Sequence, residues 1–520
     1  MHTSIPLLVS AFLAAGTTGG TSYAFGIYGQ ALKSNLHLTQ SQLDTISSSN
    51  FAAGMLSWIP GLLVDRFGIK YCGMVGGGIL GAVALVSFWA VAVGSDDNDH
   101  DNDKDKDHYH PWMPTHAASQ ATLVAILSAC AVFIFMACAL ITGSVFKIIV
   151  GNTSHHHKGQ AVGAAKGYVG LGSGAYAVLF ESLRRNTDLD FLPMAAFFFI
   201  AAASIPALCL LPNKENEHIV RADVTTSAHY SSLYMGLVAL AVLVIGQSIV
   251  ELLSDSEGTE NSGSQIHTRD QMPDYLMTIM VPLVWFGPIL GLLILPRQRY
   301  DMLSINGHDA ADDEALPLKV EADEHVIHPV SSPLHDDDHD NDDDINSHDS
   351  VTHVAPVIRD YTLRQMLATP SAWLMLWTCT ILVGGGTVMT NNLGQMVQAL
   401  QFGPKVVPAA LSLFSVAQSL GRVVTGSWSS LAKRRTSFLV LASFAGLGSH
   451  ALLAVSTEQV SFVAGVFCSG FAFGMVWPLM VLITGELFGT AHVGANYMVS
   501  LCVDATLFML SCISLRSHTA

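Results

Sequence analysis

The stretch GLLVDRFG, Gly61 to Gly68, leaves one apolar run and enters another, and an altered form of it, GRVVTGSWSSLAKRR, recurs in the same setting at Gly421 to Arg435. A charged turn set twice between apolar runs points to a chain built from two related halves. Half of the 520 residues are hydrophobic and 12% are charged, with a mean hydropathy of +0.43. A water-soluble globule of this length rarely keeps that balance, so the chain belongs in a bilayer.

The formal net charge of −17 does not describe a docking face, because the acidic residues crowd into a few loops and the apolar runs carry almost none. No nucleic-acid partner is implied. The eight cysteines all fall inside apolar runs without CxxC spacing, which argues against a disulfide framework or a zinc site. The opening MHTSIPLLVSAFLAA lacks the Lys or Arg of a secretory leader and reads as a first span.

A bilayer core needs about 20 apolar residues per helix, because the backbone must satisfy its own polar groups there. Thirteen stretches qualify, near residues 4–28, 44–64, 71–94, 119–146, 160–182, 191–211, 232–253, 275–296, 371–390, 405–428, 436–455, 459–486 and 495–514. With the N-terminus in the cytoplasm, the inner turns hold Arg66 and Lys70, Lys147 and Lys158, Lys214 and Arg221, Arg297 and Arg299, and Lys433 to Arg435. That satisfies the positive-inside rule at nearly every turn, with Lys33, Arg184, Arg185 and Lys405 dissenting. The loop at 95–117 then lies outside, and the acidic, histidine-rich segment 297–368 lies in the cytoplasm. Both are polar and low in complexity, so disorder is expected of them.

Glycines at four-residue intervals, Gly73, Gly77 and Gly81 in span 3 and Gly163 and Gly167 in span 5, with Gly170 and Gly174 beyond them, read as seams where helices approach closely. Gly61, Asp65, Arg66, Gly68 and Lys70 resemble the GxxxDRxGR/K signature of the major facilitator superfamily, which lies between the second and third helices of a six-helix half. More narrowly, GTSYAFGIYGQALKSNLHLTQSQLDTISSSNFAAG, GQAVGAAKGYVGLGSGAY, TNNLGQMVQAL, SLGRVVTG and GELFG are similar to the nodulin-like branch of that superfamily.

The resemblance implies an all-α polytopic membrane protein, a major-facilitator-type pair of helical bundles with two inserted helices and the last helix missing. It places the second signature-like turn between spans 10 and 11, so span 9 opens the second half and spans 7 and 8 are the insertion. The expected units are 1–211, a six-helix bundle; 212–296, a linker with two inserted transmembrane helices; 297–368, the disordered loop; and 369–520, a bundle of five helices. The chain stops at SCISLRSHTA where relatives continue into a closing helix, which reads as a truncated product with its C-terminus outside. Ser430 stands where the family often has Asp.

Polar side chains inside spans are costly and by default functional. Lys166, about two turns into span 5, either binds an anionic solute or snorkels to the headgroups. Asn391, Asn392 and Gln395 at the outer end of span 9 either hydrogen-bond solute or cap the helix, and Tyr23, Tyr28 and Asn50 supply further candidate hydrogen bonds. The resemblance implies that spans 1, 4, 9 and 12 line the cavity. Gly61, Asp65, Arg66, Gly68, Gly421, Arg422 and Glu486 are the candidate gating residues, whose pairs break when the halves rock. Asp504 is a proton-coupling carboxylate or a mark of a divergent tail. The clusters His155 to His157 and His335 to His339 with Asp336, Asp337 and Asp338 suit weak metal chelation or plain solvated linker, and no resident metal or cofactor is expected.

No Walker A, HExxH or GxSxG string occurs, which argues against an enzyme. The expected function is secondary active transport of a small solute by alternating access, with an organic anion such as a monocarboxylate as solute and protons as a candidate coupling ion. The alternatives are a divalent-metal transporter with the loops as collectors, and a non-transporting sensor or truncated isoform. The host is the plasma membrane or an organelle membrane.

Overall fold

The computed structural model describes residues 4–22, 25–94, 120–153, 155–183, 187–212, 227–257, 275–295, 360–402, 406–429 and 434–499. Tyr23, Ser430, Asp504, the loop 95–117 and residues 297–359 of the segment 297–368 lie outside those residues, and so does the chain end. Residues 360–368, expected to be disordered with that segment, are instead ordered: Leu363–Leu367 is helical behind a Thr362–Gln365 capping box, and the Tyr361 backbone N–H donates to the Phe488 carbonyl at 2.9 Å. The described residues contain no strand. All belong to one compact unit that takes in residues 1–300 and 360–520.

The α-helices are α1 (Ser4–Ser22), α2 (Phe25–Asn35), α3 (Gln40–Ala52), α4 (Trp58–Phe67), α5 (Gly77–Gly94), α6 (Gln120–Asn152), α7 (His155–Ser182), α8 (Phe191–Phe198) and α9 (Ile205–Leu210). They continue with α10 (Ser227–Glu257), α11 (Tyr275–Gly291), α12 (Leu363–Leu367), α13 (Pro370–Ala399), α14 (Val406–Trp428), α15 (Thr436–Val455) and α16 (Gln459–Phe488). A helix stands at each of the first twelve expected spans, and a further helical stretch at 493–499 begins the thirteenth.

Seven of the described helical stretches are long and apolar enough to cross a bilayer, among them Gln120–Asn152, Thr436–Val455 and Gln459–Phe488; Ile5–Thr21 and Leu276–Gly291 are apolar but shorter. Spans 2, 5 and 10 are less apolar, because they carry the run Ser47 to Asn50, Lys166, and Gln418 with Arg422.

Local signals explain several helix ends. Pro370 opens α13 behind Thr369, whose hydroxyl accepts from the backbone N–H of Ala372 at 3.4 Å. Spans 3 and 6 each contain a π-helical segment, Ile69–Gly76 and Phe199–Ser204, and these pack together. The Ser204 hydroxyl donates to the Val75 carbonyl at 3.3 Å, serving a backbone acceptor within the irregular turn.

Helix α16 lies at the centre, with 83% of its apolar window buried, packed between α13, α14 and α15 and touching α7. Helix α15 is peripheral, and Val440, Leu441, Phe444 and Leu447 on it are exposed apolar side chains whose solvent is lipid. Helices α7 and α14 pack closely along their length, which brings span 5 against span 10. The expected glycine seams are present. Gly73 and Gly77 face Ser144 and Ile141 of α6, and Gly81 faces Phe199.

Candidate functional site

Two groups of polar residues meet inside the bundle, one near its middle and one at the basic end that the positive-inside rule assigns to the cytoplasm.

In the central group, Lys166 projects from α7 into the protein rather than toward the headgroups, and only 3% of it is exposed. Its ammonium donates to the Tyr497 hydroxyl and lies over three aromatic rings, 4.3 Å from the Phe146 centroid, 4.7 Å from Tyr497 and 4.9 Å from Trp477. Such cation–π contacts contribute about 0.5–2 kcal/mol each and offset part of the cost of desolvating the charge.

Arg422 on α14 is 1% exposed and stands beside it. Nη1 donates to the Lys166 backbone carbonyl at 2.9 Å, Nη2 donates to the Gln418 side-chain carbonyl at 2.8 Å, and the guanidinium lies 5.8 Å from the Trp477 ring. Gly170 makes room for this meeting, since a Cβ there would come within 2.5 Å of both Arg422 Nη1 and the Ser419 hydroxyl oxygen. The buried Ser419 hydroxyl and Trp477 indole N–H have no hydrogen-bond partner among the described residues. The ammonium and the guanidinium both lie over the Trp477 ring, with the indole N–H and the Tyr497 and Ser419 hydroxyls in the same cluster, donors of a kind suited to an anion.

At the basic end, the signature turn is read residue by residue. Gly61 permits close approach, because a Cβ on it would lie 2.7 Å from the Ala495 Cα. Asp65 pairs with Lys147 at 2.7 Å, accepts from the Ala495 backbone N–H at 3.4 Å and lies 3.9 Å from His492. An acidic group at the start of the 493–499 helix also meets the positive end of its dipole. Gly68 closes α4 with φ of 95°, a left-handed conformation that favours glycine. Lys70 is buried and donates to the carbonyls of Leu208 and Leu211 at 3.3 and 2.6 Å, capping the C-terminus of span 6. The Ser57 hydroxyl donates to the Met498 carbonyl at 2.8 Å, so span 2 is stitched to the start of span 13.

The α7–α14 seam is closed by glycine. A Cβ on Gly426 would lie 2.3 Å from the Gly163 Cα, and one on Gly159 would lie 2.3 Å from the Gly426 carbonyl oxygen. Backbone touches backbone there, which only glycine on both sides allows. Nearby, Glu486 pairs with Arg435 at 2.8 Å. Burial pushes the Lys158 ammonium down, Glu486 opposes that, and Arg435 adds to it.

The remaining candidates are placed as follows. Arg422 joins Lys166 rather than the Asp65 group, and Gly421 packs α14 against the Phe471 carbonyl of α16. Arg66 is exposed beside the Phe67 ring. Tyr28 is buried among Phe25, Phe88 and Phe191. Asn50 is half-buried on α3, and the Asn392 amide donates to the Val388 carbonyl of its own helix at 2.8 Å. Asn391 and Gln395 lie on α13, their side chains outside the description, as are those of His155 and His156; His157 stacks on Tyr230. Among the described residues, no group of three or more metal-ligating side chains gathers.

Sequence reasoning missed Tyr497, Trp477, Phe146 and Gln418. In the sequence the three aromatic residues lie within apolar runs, with no spacing that sets them apart from residues facing lipid.

The family profile described as Major Facilitator Superfamily matches residues 7–505. The chain is 26% identical over 144 residues to the uncharacterized MFS-type transporter YhjX of Escherichia coli strain K12. That match covers 28% of this chain and 36% of the relative, about a third of its length. Among solved structures, the proton:xylose symporter XylE of E. coli, bound to 6-bromo-6-deoxy-D-glucose, aligns with a TM-score of 0.52 at 12% identity. The alignment covers 98% of this chain and 87% of that one, a likeness of fold.

Proposed function

The chain belongs to the Major Facilitator Superfamily and is an integral, multi-pass membrane transporter, and on that premise we propose that it carries a small organic anion, such as a monocarboxylate, by alternating access. The observation that carries this reading is the meeting of Lys166 and Arg422, two buried cationic residues of different helices, with the Arg422 guanidinium bonded to the Lys166 backbone carbonyl. Charge is expensive in the membrane interior and is kept there for a ligand path or a relay. An arginine offers a planar fork to a carboxylate and a lysine adds a point charge, while the Phe146, Trp477 and Tyr497 rings suit a short apolar tail.

The signature contacts of Asp65, Lys147 and Ala495, with the glycine seam of α7 and α14, form the closed inner gate in this reading. Opening toward the cytoplasm separates Gly163 from Gly426 and removes the Arg422–Lys166 hydrogen bond, which couples solute release to gate opening. The strings that resemble the nodulin-like branch support the assignment, because Lys166 and Arg422 both fall within them. Protons are the proposed coupling ion, as the symporter XylE uses them. Helices α10 and α11 are the proposed insertion between the halves.

The test is uptake into proteoliposomes of a panel that pairs short monocarboxylates with neutral sugars. The reading expects carboxylate uptake that Lys166→Ala strongly reduces. Sugar uptake indifferent to Lys166→Ala would replace the anion with a neutral solute.

A further inference from the structure

Helix α10, the first of the proposed inserted pair, packs on both α7 and α14 and so touches both sides of the seam. On one side the Tyr234 hydroxyl donates to the Gln160 backbone carbonyl of α7 at 2.8 Å, and on the other it accepts from the Ser427 hydroxyl of α14 at 2.8 Å. Gln160 follows Gly159 and Ser427 follows Gly426, the residues at the closest backbone approach of the two helices. One hydroxyl, as a single donor with free lone pairs, is thus used at once by both sides of the point where the gate parts.

The packing around it is consistent. Leu237, one turn further along α10, fills the notch left by Gly167 beside Val423 of α14. Tyr230 stacks on His157 at 5.3 Å and the Tyr168 hydroxyl donates to the Leu233 carbonyl at 3.4 Å, so α10 is fastened to α7 by contacts that do not involve α14. The helix therefore rides on α7 and reaches across to α14 through Tyr234 and Leu237. Separating the two helices requires the Tyr234–Ser427 hydrogen bond to break.

We propose that α10 is a latch on the inner gate and that Tyr234 is the positioning residue that holds it shut, so that the helix sets how readily the transporter opens to the cytoplasm. This rests on the alternating-access reading above. It gives the additional helix pair a role in the rate of transport, separate from solute recognition.

The experiment uses a cysteine placed at Ser429, a buried position at the end of the seam. Its labelling by a membrane-impermeant thiol reagent is followed in inside-out vesicles, in excess of the same chain without that cysteine, and with Tyr234→Phe, Ser427→Ala or Tyr168→Phe added. A latch predicts severalfold faster labelling with Tyr234→Phe and Ser427→Ala, and none with Tyr168→Phe, which loosens α10 on α7 alone. Unchanged labelling in the first two, while transported solute alters labelling at Ser429, overturns the latch and leaves alternating access standing. Equal acceleration by Tyr168→Phe also overturns it, since general loosening then explains the effect. Labelling that neither solute nor any substitution alters removes alternating access and the latch together.

Discussion

Arg422 donates a 2.9 Å hydrogen bond from α14 to the Lys166 backbone carbonyl of α7, so the guanidinium of one buried residue is fastened to the main chain of the other across the α7–α14 seam. A side chain bound to the backbone of the opposing helix reports and restrains their separation. In the proposed reading, that single contact ties recognition of a solute to the position of the gate.

Truncating either cation should reduce carboxylate uptake by about 10- to 100-fold in kcat/KM, the equivalent of one charge-assisted hydrogen bond of about 1.5–3 kcal/mol. Arg422→Lys should not restore it, because a lysine ammonium is a single point of charge and lacks the planar fork that reaches the Lys166 carbonyl and Gln418 from two separate nitrogens. Initial-rate uptake by the purified variants in proteoliposomes checks this.

Gly426→Leu should yield a folded transporter that cannot close toward the cytoplasm. Its side chain would start 2.3 Å from the Gly163 Cα, which leaves no room in the closed seam and ample room in the open one. Limited proteolysis from the inner face should accelerate while elution as a monodisperse species is kept, and transport should be lost.

Asp65→Asn and Lys147→Met should each lower thermal stability, and the double variant should lose less than their sum. The pair is 2.7 Å apart with side chains 10% and 21% exposed, so a coupling of about 0.5–3 kcal/mol is expected from contacting residues. A thermal-shift double-mutant cycle in detergent measures it.

Much of the fold was legible in the sequence because it is written in period and composition. Long apolar runs mark the helices, and Gly68 and Gly163 mark places where only a missing side chain fits. The site was half legible. Lys166 and Arg422 stood out as charges in apolar runs, but their meeting depends on α7 crossing α14, a tertiary fact that no spacing encodes. Tyr497, Trp477 and Phe146 passed for ordinary apolar residues because an aromatic ring facing a cation reads like one facing lipid. Tyr28 and Asn392 drew attention by residue type, yet the structure gives them partners within their own surroundings.

Deleting residues 305–350 should leave carboxylate uptake intact, because Lys166, Arg422 and the other residues proposed to bind the solute all lie outside that segment. A loss of divalent-metal uptake on the same deletion would instead support the loops as metal collectors. Uptake of both solutes by the full chain and the deletion variant distinguishes the two.

The most direct test of the account is the distance between the two inner ends of the molecule. Spin labels at Gly151 on α6 and Ser437 on α15, both exposed, would be measured by pulsed electron resonance in a chain freed of native cysteines, with and without a transported carboxylate. The account predicts two distance populations, short for the closed seam described above and longer for the open one, with the carboxylate shifting their ratio and Lys166→Ala removing that response. A single distance that no solute changes would contradict it.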